Sequence, residues 1–145
     1  MCNNETMKKK NFGFTLLELL VVISIIGLLV AMGAVAFTTA QKRGRDSKRR
    51  GDMKATQSAF EQYYADNGAY STTCSAMATG YMPGGLPEDP KPSESYTMNC
   101  AADAYCICAL VEDSGNGNAA APAALSTICD YSGAPQDYFC VNNLQ

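Results

Sequence analysis

Between Phe14 and Phe37 the chain is apolar almost without a break, with Glu18 as its one charge. Crossing a bilayer as a helix takes about 20 such residues, so the run is long enough. The pattern then changes period instead of ending. Met53, Thr56, Ala59, Phe60 and Tyr63 recur at steps of three and four, which predicts an amphipathic helix face. Asn67-Gly68 supplies its stop, because glycine adopts the left-handed conformation freely. One helix is therefore expected, apolar over residues 14–37 and amphipathic over 38–67. Residues 68–145 lose the helical period and hold three strand-like runs, 96–101, 105–111 and 137–141, the first two joined by a tight turn. A long helix packed on a small antiparallel sheet predicts an α+β fold with one β-rich head. Residues 115–124 (GNGNAAAPAA) read as a mobile loop.

Charge divides the chain more sharply than its net value of −3 suggests. Seven of the eleven bases form a collar on the second half of the helix: Lys42, Arg43, Arg45, Lys48, Arg49, Arg50 and Lys54. From residue 55 onward there are ten acids and a single base, Lys91. At 100° per residue the collar bases cover roughly two-thirds of the helix circumference. Such a ring suits a rod surrounded by lipid headgroups while stored and by acidic heads of other copies once packed. A helix reading DNA would be expected to gather its bases more on one side, although a nucleic-acid role for residues 42–54 remains the alternative.

Cysteine and histidine usage narrow the chemistry. Histidine is absent, which removes the usual general base and the commonest metal ligand, so neither an enzyme nor a cofactor is expected. Six of seven cysteines follow the apolar run: Cys74, Cys100, Cys106, Cys108, Cys129 and Cys140. In an oxidising space they read as up to three disulfides. Zinc sites favour C-x₂₋₄-C pairs, whereas the close pair here is Cys106-x-Cys108. A three-residue turn at Ala102-Asp103-Ala104 would set Cys100 opposite Cys106, leaving Cys108 for Cys140 and Cys74 for Cys129. The acidic run from Glu112 to Asn118 offers carboxylates and carbonyls for calcium, with Asp113 as candidate ligand, and reads equally well as a plain turn.

Glu18 is the awkward residue. A carboxylate inside a membrane span costs about 2.5–3.5 kcal/mol on insertion scales. A cleaved secretory signal, with Ala34-Val35-Ala36 as its site, does not account for it and has too long an apolar core. An ordinary anchor accounts for the length and leaves the acid unexplained. Cleavage after Gly13 gives it a purpose: the new amine on Phe14 then lies one helical turn from Glu18, where acid and amine of neighbouring copies can pair.

The basic leader KKKNFG followed by FTLLELLVVISIIGLL resembles the class III signal of type IV pilins and type II secretion pseudopilins. The continuation QKRGRDSKRRGDMKATQSAFEQYYADNGAY resembles that family's helix and its turn into the head, so the likeness covers residues 8–70. It implies removal of residues 1–13 by a membrane-embedded prepilin peptidase, methylation of Phe14, and guidance of assembly by Glu18. It further implies a homopolymer with helices in the filament core, built by a dedicated ATPase-driven machine from subunits stored in the cytoplasmic membrane. Two features depart from the family: no proline bends the helix near Val35, where Gly33 is the alternative weak point, and the calcium loop of the major pseudopilins is not matched. The expected role is a main subunit of a surface pilus. A secretion or competence pseudopilin, a membrane-anchored nucleic-acid receptor and a secreted disulfide-rich protein are the alternatives.

Overall fold

The computed structural model describes residues 13–120 and 129–145. Residues 1–12 of the expected leader, 1–13, and the end of the expected loop, 121–124, lie outside the described residues. In chain order the elements are α1 (Leu16–Asn67), α2 (Cys74–Ala78), β1 (Thr97–Cys100), β2 (Tyr105–Leu110) and β3 (Tyr138–Asn142). The expected α+β class, a long helix with a small antiparallel sheet, is the fold observed.

Two compact units meet within α1, one ending at Thr38 and the other beginning at Thr39. In the first, large apolar side chains are exposed throughout, from 46% at Val21 to 84% at Leu16. Its hydroxyls are answered inside the helix: Ser24 Oγ donates to Leu20 O at 2.8 Å, and Thr38 Oγ1 to Val35 O at 2.9 Å. They therefore bring no orphan donor into an apolar surrounding.

In the second unit, α1 lies on the sheet. Met53, Ala59 and Phe60 form a core with Tyr105, Ile107 and Ala109 of β2 and Val141 of β3. Phe60 meets Tyr105 edge-on, with centroids 5.1 Å apart, a favoured aromatic geometry. The strand order is β1-β2-β3, antiparallel, so β2 is central and covered on both faces. Its odd-numbered residues face the helix, and its even-numbered Cys106 and Cys108 form a second cluster with Cys129, Cys140 and Ala119. Glu61 fixes the helix from its side, accepting from Tyr105 Oη at 2.7 Å, Tyr70 Oη at 3.0 Å and Leu144 N at 3.1 Å. Burial, and next the hydrogen bond to this carboxylate, raises both phenols above their ordinary range.

The face of α1 that enters the head is longer than the apolar pattern indicates. Asp46 and Arg49 continue the three- and four-residue rhythm of Met53, Thr56 and Phe60, and both are buried. Reading only apolar positions misses them because they are charged.

The expected Cys108–Cys140 bridge is observed, but the hairpin register overturns the other two expected pairs, Cys100–Cys106 and Cys74–Cys129. Cys100 pairs with Tyr105 and Asn99 with Cys106, and Ala101 N donates to Ala104 O across the turn. A shift of one residue exchanges the faces of a strand, so Cys100 sits on the helix side and Cys106 behind the sheet. Cys100 is bonded to Cys74 of α2, and Cys106 to Cys129. Cys108 and Cys140, directly opposite in the β2–β3 register, form the third bridge.

Non-reducing peptide mapping should recover the linkages 74–100, 106–129 and 108–140. A peptide linking Cys100 to Cys106 would contradict this register.

Candidate functional site

The start of α1 carries the first site. The helix begins at Leu16, not Phe14, because Thr15 caps it. Glu18 N donates to Thr15 Oγ1 at 3.2 Å, while Glu18 Oε2 accepts from Thr15 N at 3.0 Å and Thr15 Oγ1 at 2.9 Å. This reciprocal pattern is a capping box, whose signature T-x-x-E stands in the sequence at residues 15–18. The carboxylate is thus half answered by its own chain, which lowers the cost of holding it in an apolar surrounding. Its other oxygen, Oε1, has no hydrogen bond among the described residues, so it can accept from an ammonium. Phe14 is 83% exposed, and a side chain built at Gly13 would meet nothing within 4 Å among the described residues.

The collar divides into two groups. Arg49 is fully buried and meets three carboxylates. It grips Asp89 with two parallel bonds, Nε to Oδ2 at 2.7 Å and Nη2 to Oδ1 at 2.8 Å. Its Nη1 donates to Asp46 Oδ1 at 2.8 Å and to Glu112 Oε1 at 3.0 Å. Arg45 adds a second fork on Glu112, at 2.5 and 2.7 Å. Three carboxylates against two guanidiniums leave an excess of negative charge, and backbone donors answer it. Glu112 N and Asp113 N donate to Asp46, and Lys91 N to Asp89. The cluster ties α1 to the loop before β1 and to the segment after β2. Arg50 stacks over Phe139, 5.2 Å from the ring centroid, and donates to Asn116 O. Lys42, Arg43, Lys48 and Lys54 stay exposed and form no ion pair among the described residues.

The expectation that the whole collar meets lipid or other copies is corrected for Arg45, Arg49 and Arg50. The acids that neutralise Arg45 and Arg49 belong to the same chain, because the head folds back over that side of the helix. The run from Glu112 to Asn118 forms a turn around Asp137, whose Oδ1 accepts from Ser114 Oγ at 2.6 Å and Gly115 N at 3.1 Å. Gly115 holds φ +81°, the left-handed region that this turn requires. The Glu112 carboxylate and the Asn116 carbonyl are held by arginines, and Asp113 lies exposed beside them. The turn reading accounts for the run.

Electrostatics follow this arrangement. The Arg45 fork, helped by Arg49, holds the Glu112 carboxyl down to about 2. Burial works to raise Asp89, but hydrogen bonds from Arg49 and Lys91 N hold it below the usual carboxylate range.

Comparison with known proteins supplies a context. Residues 8–34 match the family described as the prokaryotic N-terminal methylation motif. The type IV wide pilus major component PilA4 of Thermus thermophilus is 31% identical over 97 residues, covering 67% of this chain and 71% of that protein. Type II secretion system core protein G of Vibrio cholerae is 34% identical over 101 residues, covering 58% of this chain and 69% of that protein. The type IV major pilin protein PilA of Myxococcus xanthus is 36% identical over 62 residues, a match spanning 43% of this chain and only 28% of that protein.

Acid should loosen the head. Glu112 and Asp89 have lower pKa values folded than unfolded, so their contribution is complete above about pH 4.5 and falls as pH drops toward 2. A denaturant titration of the full chain in detergent should show midpoints dropping across that window. A midpoint that stays level from pH 5 to pH 2 would contradict the assignment.

Proposed function

We propose, because this chain belongs to the family of type IV pilins and type II secretion pseudopilins, that it is a structural subunit polymerised through the first half of α1. The observation that carries this reading is the apolar stretch from Leu16 to Phe37, exposed among the described residues and headed by a carboxylate with one oxygen still open. In a membrane, lipid satisfies that stretch. In a filament, other copies do.

The proposed sequence of events starts with a prepilin peptidase cutting between Gly13 and Phe14 and methylating the new amine. The subunit then waits in the cytoplasmic membrane with its head outside. An assembly machine transfers it into a growing filament, where the Phe14 ammonium of one copy reaches Glu18 of another. Carboxylate and ammonium both lose water there, so each needs the other. The role is structural rather than enzymatic: with no histidine, a serine nucleophile would need a lysine base, and the head's one lysine, Lys91, is paired with Glu94 at 3.2 Å.

A surface pilus is the preferred assembly, and the likeness to PilA4 over two-thirds of this chain supports it. The likeness to core protein G supports a secretion pseudopilus as the second reading. Deleting the gene separates them: loss of surface filaments favours the first, and loss of an exported enzyme with no filament phenotype favours the second.

Glu18→Ala should leave membrane insertion intact and sharply reduce filaments seen by electron microscopy of sheared surface material. The intact mass of wild-type subunits from those filaments should begin at Phe14 with one added methyl group. Normal filament abundance in the variant, or a mass beginning at Met1, would sink the proposal.

A further inference from the structure

Behind the sheet, four cysteines converge in a way that the filament role does not use. Cys106 and Cys108 project from the same face of β2, Cys140 stands opposite Cys108 on β3, and Cys129 closes on Cys106. All four sulfurs lie within 4.8 Å of one another, and every residue of the set is buried, none more than 5% exposed. We propose that, once the 106–129 and 108–140 bridges are reduced, this tetrad is a closed tetrathiolate site for a soft metal ion such as Zn²⁺.

The geometry supports this directly. Zinc–thiolate bonds of about 2.3 Å in a tetrahedron set sulfurs about 3.8 Å apart. Across the two bridges, Cys106 Sγ and Cys108 Sγ already stand 3.6 Å apart. The other cross-bridge separations are within 4.8 Å, so forming the site requires the two bonded pairs to open by side-chain rotation after reduction. A strand supplies the close C-x-C pair, which is why the C-x₂₋₄-C spacing of zinc-binding loops is not needed. Sulfur alone selects zinc, cadmium or copper(I) over calcium or magnesium. Four buried ligands leave no open coordination position, so the site is structural.

The composition of the cluster gives the metal a purpose. Among the described residues its buried members are the four cysteines and Ala119, with Tyr138 partly buried against them. The described part of this layer is thus held to the sheet chiefly through its sulfurs. An ion bound by all four thiolates restores the link, as metals do in small domains with little core.

The chemistry balances as follows. A phosphine or dithiol reductant gives each disulfide two electrons, and two protons complete the thiols, four in all. A divalent ion then displaces four protons and leaves a complex of net charge −2. Disulfides and metal are alternative occupants of the same sulfurs, so a thiol oxidant that restores the bridges expels the ion.

The test uses the full chain in detergent, reduced anaerobically with a phosphine, with one equivalent of Zn²⁺ or none. Iodoacetamide labelling read by mass spectrometry should modify Cys74 and Cys100 readily. With zinc present, Cys106, Cys108, Cys129 and Cys140 should label at least about tenfold more slowly than without it. One equivalent of Co²⁺ in place of zinc should give thiolate charge-transfer and tetrahedral ligand-field bands. Those bands should survive Cys74→Ser with Cys100→Ser and vanish in Cys106→Ser with Cys140→Ser. Equal labelling of all six head cysteines with zinc present would overturn the proposal, as would cobalt bands that persist in the second pair of variants.

Discussion

Arg49 sits in the middle of a helix with its guanidinium removed from water, a position tolerated only when opposite charges come to meet it. Asp46 comes from the same helix, Asp89 from the proline-rich loop, and Glu112 from the segment just after β2. Each also takes a further donor, so no buried side-chain nitrogen or oxygen among the described residues lacks a partner. The bidentate grip on Asp89 has a fixed planar geometry that a lysine would not reproduce. The loop and the strand end are thereby drawn to one point on α1, and the apolar contacts around Phe60 and Tyr105 continue from that point. The charge asymmetry of the chain has part of its physical reason here, because Arg45 and Arg49 of the basic helix meet Asp89 and Glu112 of the acidic head within one subunit.

That internal pairing bears on assembly. With Arg45 and Arg49 occupied by the head's own acids, and Arg50 held by Asn116 O and the Phe139 ring, four of the seven collar bases remain outward. Exposed pairs of that kind contribute about 0–1 kcal/mol each, too little to drive polymerisation. The apolar half of α1 is a far larger unmet demand, since side chains from Leu16 to Phe37 are exposed in the single chain. Electrostatics complete the subunit, and in the proposed filament it is hydrophobic and van der Waals packing that would join copies together.

Much of this was legible in the sequence. The apolar run, the periodic face through Met53, Phe60 and Tyr63, and the three strands follow from spacing alone, because period and burial are coupled. The missed features have specific causes. Asp46 and Arg49 keep the helical rhythm but are charged, so a search for apolar faces stops at Met53. Thr15 and Glu18 spell a capping box, but an acid inside an apolar run reads first as a buried charge, and its local partner lies three residues away. The disulfides turned on one residue of register: placing Cys100 opposite Cys106 instead of Tyr105 moved a sulfur to the wrong face. Short α2 has too few residues for a period to show.

Removing Arg49 tests the account most directly, through urea unfolding of the full chain in detergent. Arg49→Ala leaves three carboxylates gathered around a vacancy, so the head should lose about 3–5 kcal/mol, whereas Lys48→Ala on the exposed side should change stability by under about 0.5 kcal/mol. If Arg49→Ala unfolds with the same midpoint and slope as wild type, the buried arginine does not hold the head to its helix, and the account is contradicted.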